Sequence, residues 1–194
     1  HLVLIDSISS RRAPTAGRAG EAEQMDAAEW AAYVDRFRDI CKMGVEHGLT
    51  VGIHAHAAGF MDFEPEIERL LGEIPEDLMQ ICFDTGHHSY AGFDPIGFMR
   101  KWIDRISYVH FKDIDPRVKA DVIANRTGFY EACGQGIFCN LGDGDVDFTA
   151  ARKLLLDQGF KGWCTVEQDC DPTLDVRPID DARLNRQYLH SIGF

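Results

Sequence analysis

Five short apolar runs set the rhythm of the chain: residues 2–6 (LVLID), 49–54 (LTVGIH), 79–84 (MQICFD), 106–111 (ISYVHF) and 162–167 (GWCTVE). Most are rich in β-forming side chains, and they are apolar at successive positions instead of alternating. That pattern predicts parallel strands covered on both faces. Between the runs the apolar spacing becomes helical. Residues 25–48 place Trp30, Val34, Phe37, Cys41 and Val45 on one stripe. Asp26 and Glu29 have capping-box spacing, and Gly48 suits the position after the last turn. Further helices are expected from Glu64-Pro65 through Ile74 and from Asp94-Pro95 through Ile103. Two more are expected over residues 148–158, capped by Asp147, and over about 180–191, with Leu184 and Tyr188 inward. Strand and helix alternate five times, which predicts an α/β fold on a parallel sheet. Two connections are long, residues 7–24 and 114–144. Long loops after strands usually carry function.

The runs end in Asp6, His54, Asp84, His110 and Glu167. In a parallel sheet or barrel these ends face one rim, where sites form. Two imidazoles and three carboxylates make a mixed nitrogen and oxygen set. It suits Mn²⁺, Co²⁺, Zn²⁺ or Fe²⁺ better than Ca²⁺. Strand alternation adds His56 to the side of His54, Lys112 to that of His110, and Thr165 and Asp169 to that of Glu167. Lys112 beside a metal would have a lowered pKa and serve as acid or base. Of His87 and His88, one is expected to touch a ligand and the other to be structural. Phe60, Phe93, Tyr130 and Trp163 are candidate walls of a ligand pocket, and Arg117 a candidate partner for a phosphate or carboxylate. Residues 141–148 lack the glycine and glutamate positions of a Ca²⁺ loop and are read as a glycine turn leading into a helix.

Composition narrows the function. The 194 residues fit one domain, 1–194, and carry 32 acids against 20 Lys plus Arg, a net charge of −12. Nucleic acid and anionic membrane surfaces both call for a basic patch, so neither is an expected partner. No apolar run reaches the roughly 18 residues of a membrane span. Six cysteines form no C-x-x-C pair, and no secretory pattern opens the chain. A reducing, cytoplasmic setting is expected.

Several segments resemble the xylose-isomerase-like TIM-barrel superfamily, most closely its inosose dehydratase branch. They are Ile53-His54-Ala55-His56 with Glu66-Ile67-Glu68 following, Asp84-Thr85-Gly86-His87, Gly92-Phe93-Asp94-Pro95, Tyr108-Val109-His110-Phe111-Lys112-Asp113, Gly142-Asp143-Gly144-Asp145 and Val166-Glu167-Gln168-Asp169. The resemblance implies a (β/α)₈ barrel with a divalent metal on His54, Asp84, His110 and Glu167. Mn²⁺ or Co²⁺ comes first, with Zn²⁺, Fe²⁺ and Mg²⁺ as alternatives. His87, with Arg117 and Trp163, is assigned to substrate. The implied chemistry is α-proton removal from a sugar or polyol ketone to give an enediolate, with Glu167, His56 or Lys112 as base. Loss of a β-hydroxyl makes the enzyme a dehydratase; reprotonation makes it an isomerase or epimerase. His54 stands where the isomerases carry a glutamate, which favours the dehydratase branch. A full barrel takes about 250 residues. Five units therefore predict a barrel incomplete at its N-terminus, with three units preceding His1. The alternatives are a non-catalytic carbohydrate-binding relative or inactive fragment, and an endonuclease IV-like DNA repair enzyme, which the acidic charge disfavours. A homo-oligomer is left open.

Overall fold

A computed structural model describes residues 1–169, 173 and 177–194. The chain runs β1 (Leu2–Ile5), α1 (Ala27–Glu46), β2 (Val51–His54), α2 (Glu64–Glu73), β3 (Gln80–Asp84), α3 (Thr85–Tyr90), α4 (Pro95–Trp102) and β4 (Ile106–Phe111). It continues β5 (Asp113–Ile114), α5 (Pro116–Ala124), α6 (Phe129–Gly134), β6 (Phe138–Cys139), α7 (Phe148–Asp157), β7 (Trp163–Val166) and α8 (Pro178–Ser191). All five apolar runs become strands of one parallel sheet, in the order β1-β2-β3-β4-β7. Strand neighbours follow chain order, as in an arc of a barrel. The long 114–144 connection forms a small antiparallel pair, β5–β6, that begins one residue before it, at Asp113, and has no counterpart in the sequence pattern.

Coverage is uneven. β2 and β3 are almost wholly buried, whereas β7, an edge strand, is largely exposed. Cys164 is therefore exposed, against its placement in an apolar run. Among the described residues Cys41, Cys82, Cys133, Cys139 and Cys164 are free thiols; Cys170 lies outside them. No helix of the described residues is long and apolar enough to cross a membrane.

The helices form where capping chemistry starts them. Asp26 accepts hydrogen bonds from the N–H groups of Ala28 and Glu29, and the Glu29 carboxylate accepts one from the Asp26 N–H, so the capping box is complete. The α1 stripe runs Trp30, Val34, Phe37, Cys41 and then Gly44; Val45 is exposed. The cause is close packing, since a Cβ on Gly44 would lie 2.4 Å from Val51 Cγ2. In α8, Tyr188 packs on the core but Leu184 is 51% exposed. The buried position there is Asn185, which accepts a hydrogen bond from the Leu141 N–H at 2.8 Å. Asp113 accepts from the N–H groups of Gly142, Gly144 and Val146 and so ties the glycine turn to the sheet.

Candidate metal centre

The register of the strands decides which side chains meet. His54 lies level with Cys82, and Asp84 is two residues further along β3. Asp84 lies level with His110, and His110 with Thr165, two residues before Glu167. With a side-chain period of two, His54, Asp84, His110 and Glu167 all share one face. A β-bulge makes this possible. Ile81 pairs with Ile106 but Cys82 with Tyr108, so one extra residue enters β4. Without it Asp84 would oppose Val109, and His110 would point to the other face.

The four side chains converge at the C-terminal rim, with one ligand atom of each within 4.8 Å of all the others. His54 Nε2 lies 3.6 Å from Asp84 Oδ2 and 3.7 Å from Glu167 Oε2. His110 Nδ1 lies 3.8 Å from Asp84 Oδ2 and touches Glu167 Oε2. All four atoms are buried and none makes a hydrogen bond of acceptable geometry. Four orphaned polar atoms at one point would be costly in a finished site. Ligands about 2.1 Å from a tetrahedral ion would be about 3.4 Å apart, close to three of these separations. The residues therefore fit a divalent metal. The other oxygen of Asp84 accepts the His87 N–H at 2.8 Å, which caps α3 and fixes the carboxylate.

Electrostatics agree with a cation-seeking ring. Burial disfavours the imidazolium of His54, but Asp84 and Glu167 outweigh it and raise the pKa to about 9. Burial would raise Glu167 as well, yet His110, His54 and Lys112 hold it far below the usual carboxylate range. A raised histidine stabilises the fold fully below its unfolded value, near 6.5, and loses that contribution as pH passes about 9. Metal-free protein is therefore expected to lose thermal stability between those pH values, and His54→Gln to flatten the profile. Zn²⁺ affinity should rise across the same window, because the ion competes with that proton. Thermal melts and calorimetry at stepped pH check both.

A second group, His56, His87 and Asp169, adjoins the first. Lys112 fills it. Its Nζ lies 2.8 Å from Asp169 Oδ2 and 2.9 Å from His87 Nε2, with Asp84 and Glu167 at 3.7 and 3.6 Å. Burial would lower the Lys112 pKa, but Asp84, Asp169 and Glu167 outweigh it and raise it. The lowered value expected from the sequence is that of a lysine beside a bound metal; with only the three carboxylates around it, the ammonium is favoured. Burial lowers the pKa of His56, so its ring is neutral. His56 Nδ1–H donates to the Ala57 carbonyl at 2.7 Å, which leaves the lone pair on Nε2. Phe138 underlies the Lys112 ammonium at 4.8 Å, and Phe129 packs on His56. Gly86 makes room for the lysine stem, since a Cβ there would lie 2.5 Å from Lys112 Cγ. Gly86→Ala should cost about 1–3 kcal/mol, read as a lower urea midpoint at unchanged slope.

Other candidates are placed elsewhere. Asp6 points away from the ring and accepts the Phe60 N–H at 2.7 Å. His88 is buried among Phe83, Phe93 and Phe98, while His87 faces Lys112. Trp163 starts β7, at the opposite end from Glu167, and is 69% exposed. Tyr130 is exposed, Phe60 packs under Arg11 and Arg12, and Phe93 packs on His88. Arg117 pairs with Asp115 on the outer wall of a cleft of about 710 Å³ that reaches Asp169. Alternation past Glu167 placed Asp169 on this side, and the structure adds its bond to Lys112. Sequence reasoning missed Phe129 and Phe138; no signal marked the two rings, which arrive from the 114–144 connection.

Comparison with known proteins places this geometry. The sequence profile of the xylose isomerase-like TIM barrel family matches residues 6–192. The chain belongs to that family. It is 33% identical to the inosose dehydratase of Erwinia tasmaniensis over 164 residues, covering 83% of this chain and 54% of that one. It is 31% identical to the inosose dehydratase of Geobacillus kaustophilus over 179 residues, covering 92% and 57%. The chain thus spans about half the length of the curated relatives it matches. The probable 3-DHS dehydratase AsbF from Bacillus anthracis superposes with a TM-score of 0.68 at 22% identity, over 86% of this chain and 58% of that one. The IOLI protein, solved with a binding zinc atom, gives 0.69 at 12% identity, over 98% and 61%. These likenesses show the family's barrel fold, here as a five-stranded arc.

Proposed function

We propose that the chain forms the metal-binding part of a lyase acting on a sugar or polyol ketone, in the manner its inosose dehydratase relatives are named for. The observation that carries the reading is the set of four orphaned ligand atoms at one rim, beside a buried ammonium and a neutral imidazole. The zinc of the IOLI structure and the orphaned set here support a divalent metal on His54, Asp84, His110 and Glu167. Mn²⁺, Co²⁺ and Zn²⁺ all suit this nitrogen and oxygen set. When bound, the ion supplies Lewis acidity that favours the enolised form of a ketone.

The chain's own residues divide the remaining work. His56 Nε2 carries the free lone pair and takes the α-proton. Lys112, held as an ammonium, gives a proton to the departing β-hydroxyl, so that water leaves. Glu167 spans the two groups, with Oε2 in the ring and Oε1 3.6 Å from Lys112 Nζ, and is the second candidate base. His87 and the cleft lined by Asp115, Arg117 and Asp169 receive the hydroxyl groups. Return of the proton to a neighbouring carbon instead would give an isomerase, a reading favoured by nothing specific in this site. The free thiols and acidic charge suit a cytoplasmic enzyme. Incubation of metal-loaded protein with an inosose and a panel of ketoses tests the proposal. Loss of water from the inosose is expected, and exchange of the α-proton without water loss would shift the assignment to an isomerase.

A further inference from the structure

The loop of residues 55–63 joins β2 to α2 and carries His56, yet it has no strand or helix of its own. His56 and Gly59 donate to carbonyls within the loop, and most of its other backbone N–H groups go to side chains. Ala58 donates to Asp62 Oδ2 at 3.0 Å, and Phe60 to Asp6 Oδ2 at 2.7 Å. Asp62 and Phe63 both donate to Glu66 Oε2, each at 3.1 Å. Three carboxylates thus shape one loop, and Asp62 and Glu66 are buried. A single guanidinium binds one of the three, Glu66. Arg12 is 1% exposed and grips Glu66 with both terminal nitrogens, at 2.8 and 3.1 Å. It also donates to the Glu23 carbonyl and lies over the rings of Phe60 and Phe63. The planar fork of arginine suits this bidentate grip, which a lysine cannot reproduce. Ala58 is held at φ +68°, a conformation alanine adopts only where its surroundings impose it. At the other end, the Ala57 carbonyl fixes the His56 Nδ1–H, and the His56 ring lies 3.9 Å from that of His87.

We propose that Arg12, acting through Glu66 and the 55–63 loop, is a positioning residue that sets the ring orientation and tautomer of His56 against His87. Its effect on turnover rests on the reading of His56 as the base; the positioning does not. The test compares wild type with Arg12→Met and Arg12→Lys. Three quantities are measured on each: the ring ¹⁵N signals of His56, Zn²⁺ affinity, and turnover of an inosose. In either folded variant the His56 signals should move from the Nδ1–H tautomer toward a mixture. Zn²⁺ affinity should stay within about threefold, because the four-ligand ring lies on separate strands. The turnover number should fall about a hundredfold for a misplaced reacting group, with KM changed less. Unchanged His56 signals would overturn the proposal. So would a Zn²⁺ affinity that falls in step with turnover, or failure of both variants to fold, since each marks a general structural role. If wild type turns over no inosose, the functional reading fails, while the His56 signals still decide the role of Arg12.

Discussion

Asp84→Ala should lower affinity for Zn²⁺ or Mn²⁺ by more than about a hundredfold, beyond what loss of an outer hydrogen bond to a metal ligand costs. Asp84 has the most enclosed side chain of the ring, and its Oδ2 lies within 3.8 Å of both histidine ligand atoms. Its other oxygen caps α3, so the alanine also frees the His87 N–H. Asp84→Asn separates the two effects. The amide oxygen can still accept the His87 N–H, while the charge that attracts the ion is gone. Both variants should therefore lose the ion, and only alanine should loosen α3, seen as faster hydrogen exchange there. Glu167→Ala should also lose the ion, although Glu167 is only partly buried. Equilibrium dialysis with metal analysis gives these affinities. Retention of a full equivalent by Asp84→Ala would show that the four residues are not the ligands.

Lys112→Met should abolish most turnover while sparing the ion. A positioned proton donor contributes roughly 10²–10⁴ in rate, and that is the expected loss. Methionine fills the space left by the lysine stem under Gly86 but offers no proton. The ammonium also balances Asp84, Asp169 and Glu167, so its removal leaves the ring more negative and should tighten metal binding. Single-turnover assays at saturating metal separate the two consequences. A variant that keeps wild-type turnover would remove Lys112 from the chemistry and leave its role as a counter-charge.

The strands and the four ring residues were legible from the sequence because each strand is a short apolar run ending in a polar side chain. Parallel topology does the rest, since it brings all such ends to one rim. Asp6 met the same rule and still missed the ring. In register it follows Ile5, which lies level with His54, so it points to the opposite face. The bulge that turns His110 toward Asp84 left no mark in residues 106–111, because nothing local distinguishes Ser107 from its neighbours. A close approach does mark it in the structure: Gly162, on the neighbouring chain segment, has no room for a Cβ against the Ser107 carbonyl. Leu184 and Val45 were placed inward on helical spacing alone, and small or polar neighbours, Asn185 and Gly44, hold the buried positions instead. Trp163 and Arg117 were chosen for their chemistry, which spacing could not locate. The rings beside His56 and Lys112 come from far along the chain, through a hairpin only two residues wide on each side.

Anomalous scattering from crystals soaked in Mn²⁺ or Zn²⁺ tests the central claim most directly. One strong peak is expected between His54 Nε2, Asp84 Oδ2, His110 Nδ1 and Glu167 Oε2, with Lys112 still bonded to Asp169. A peak among His56, His87 and Asp169 with the lysine displaced, or no peak at either group, would contradict the account.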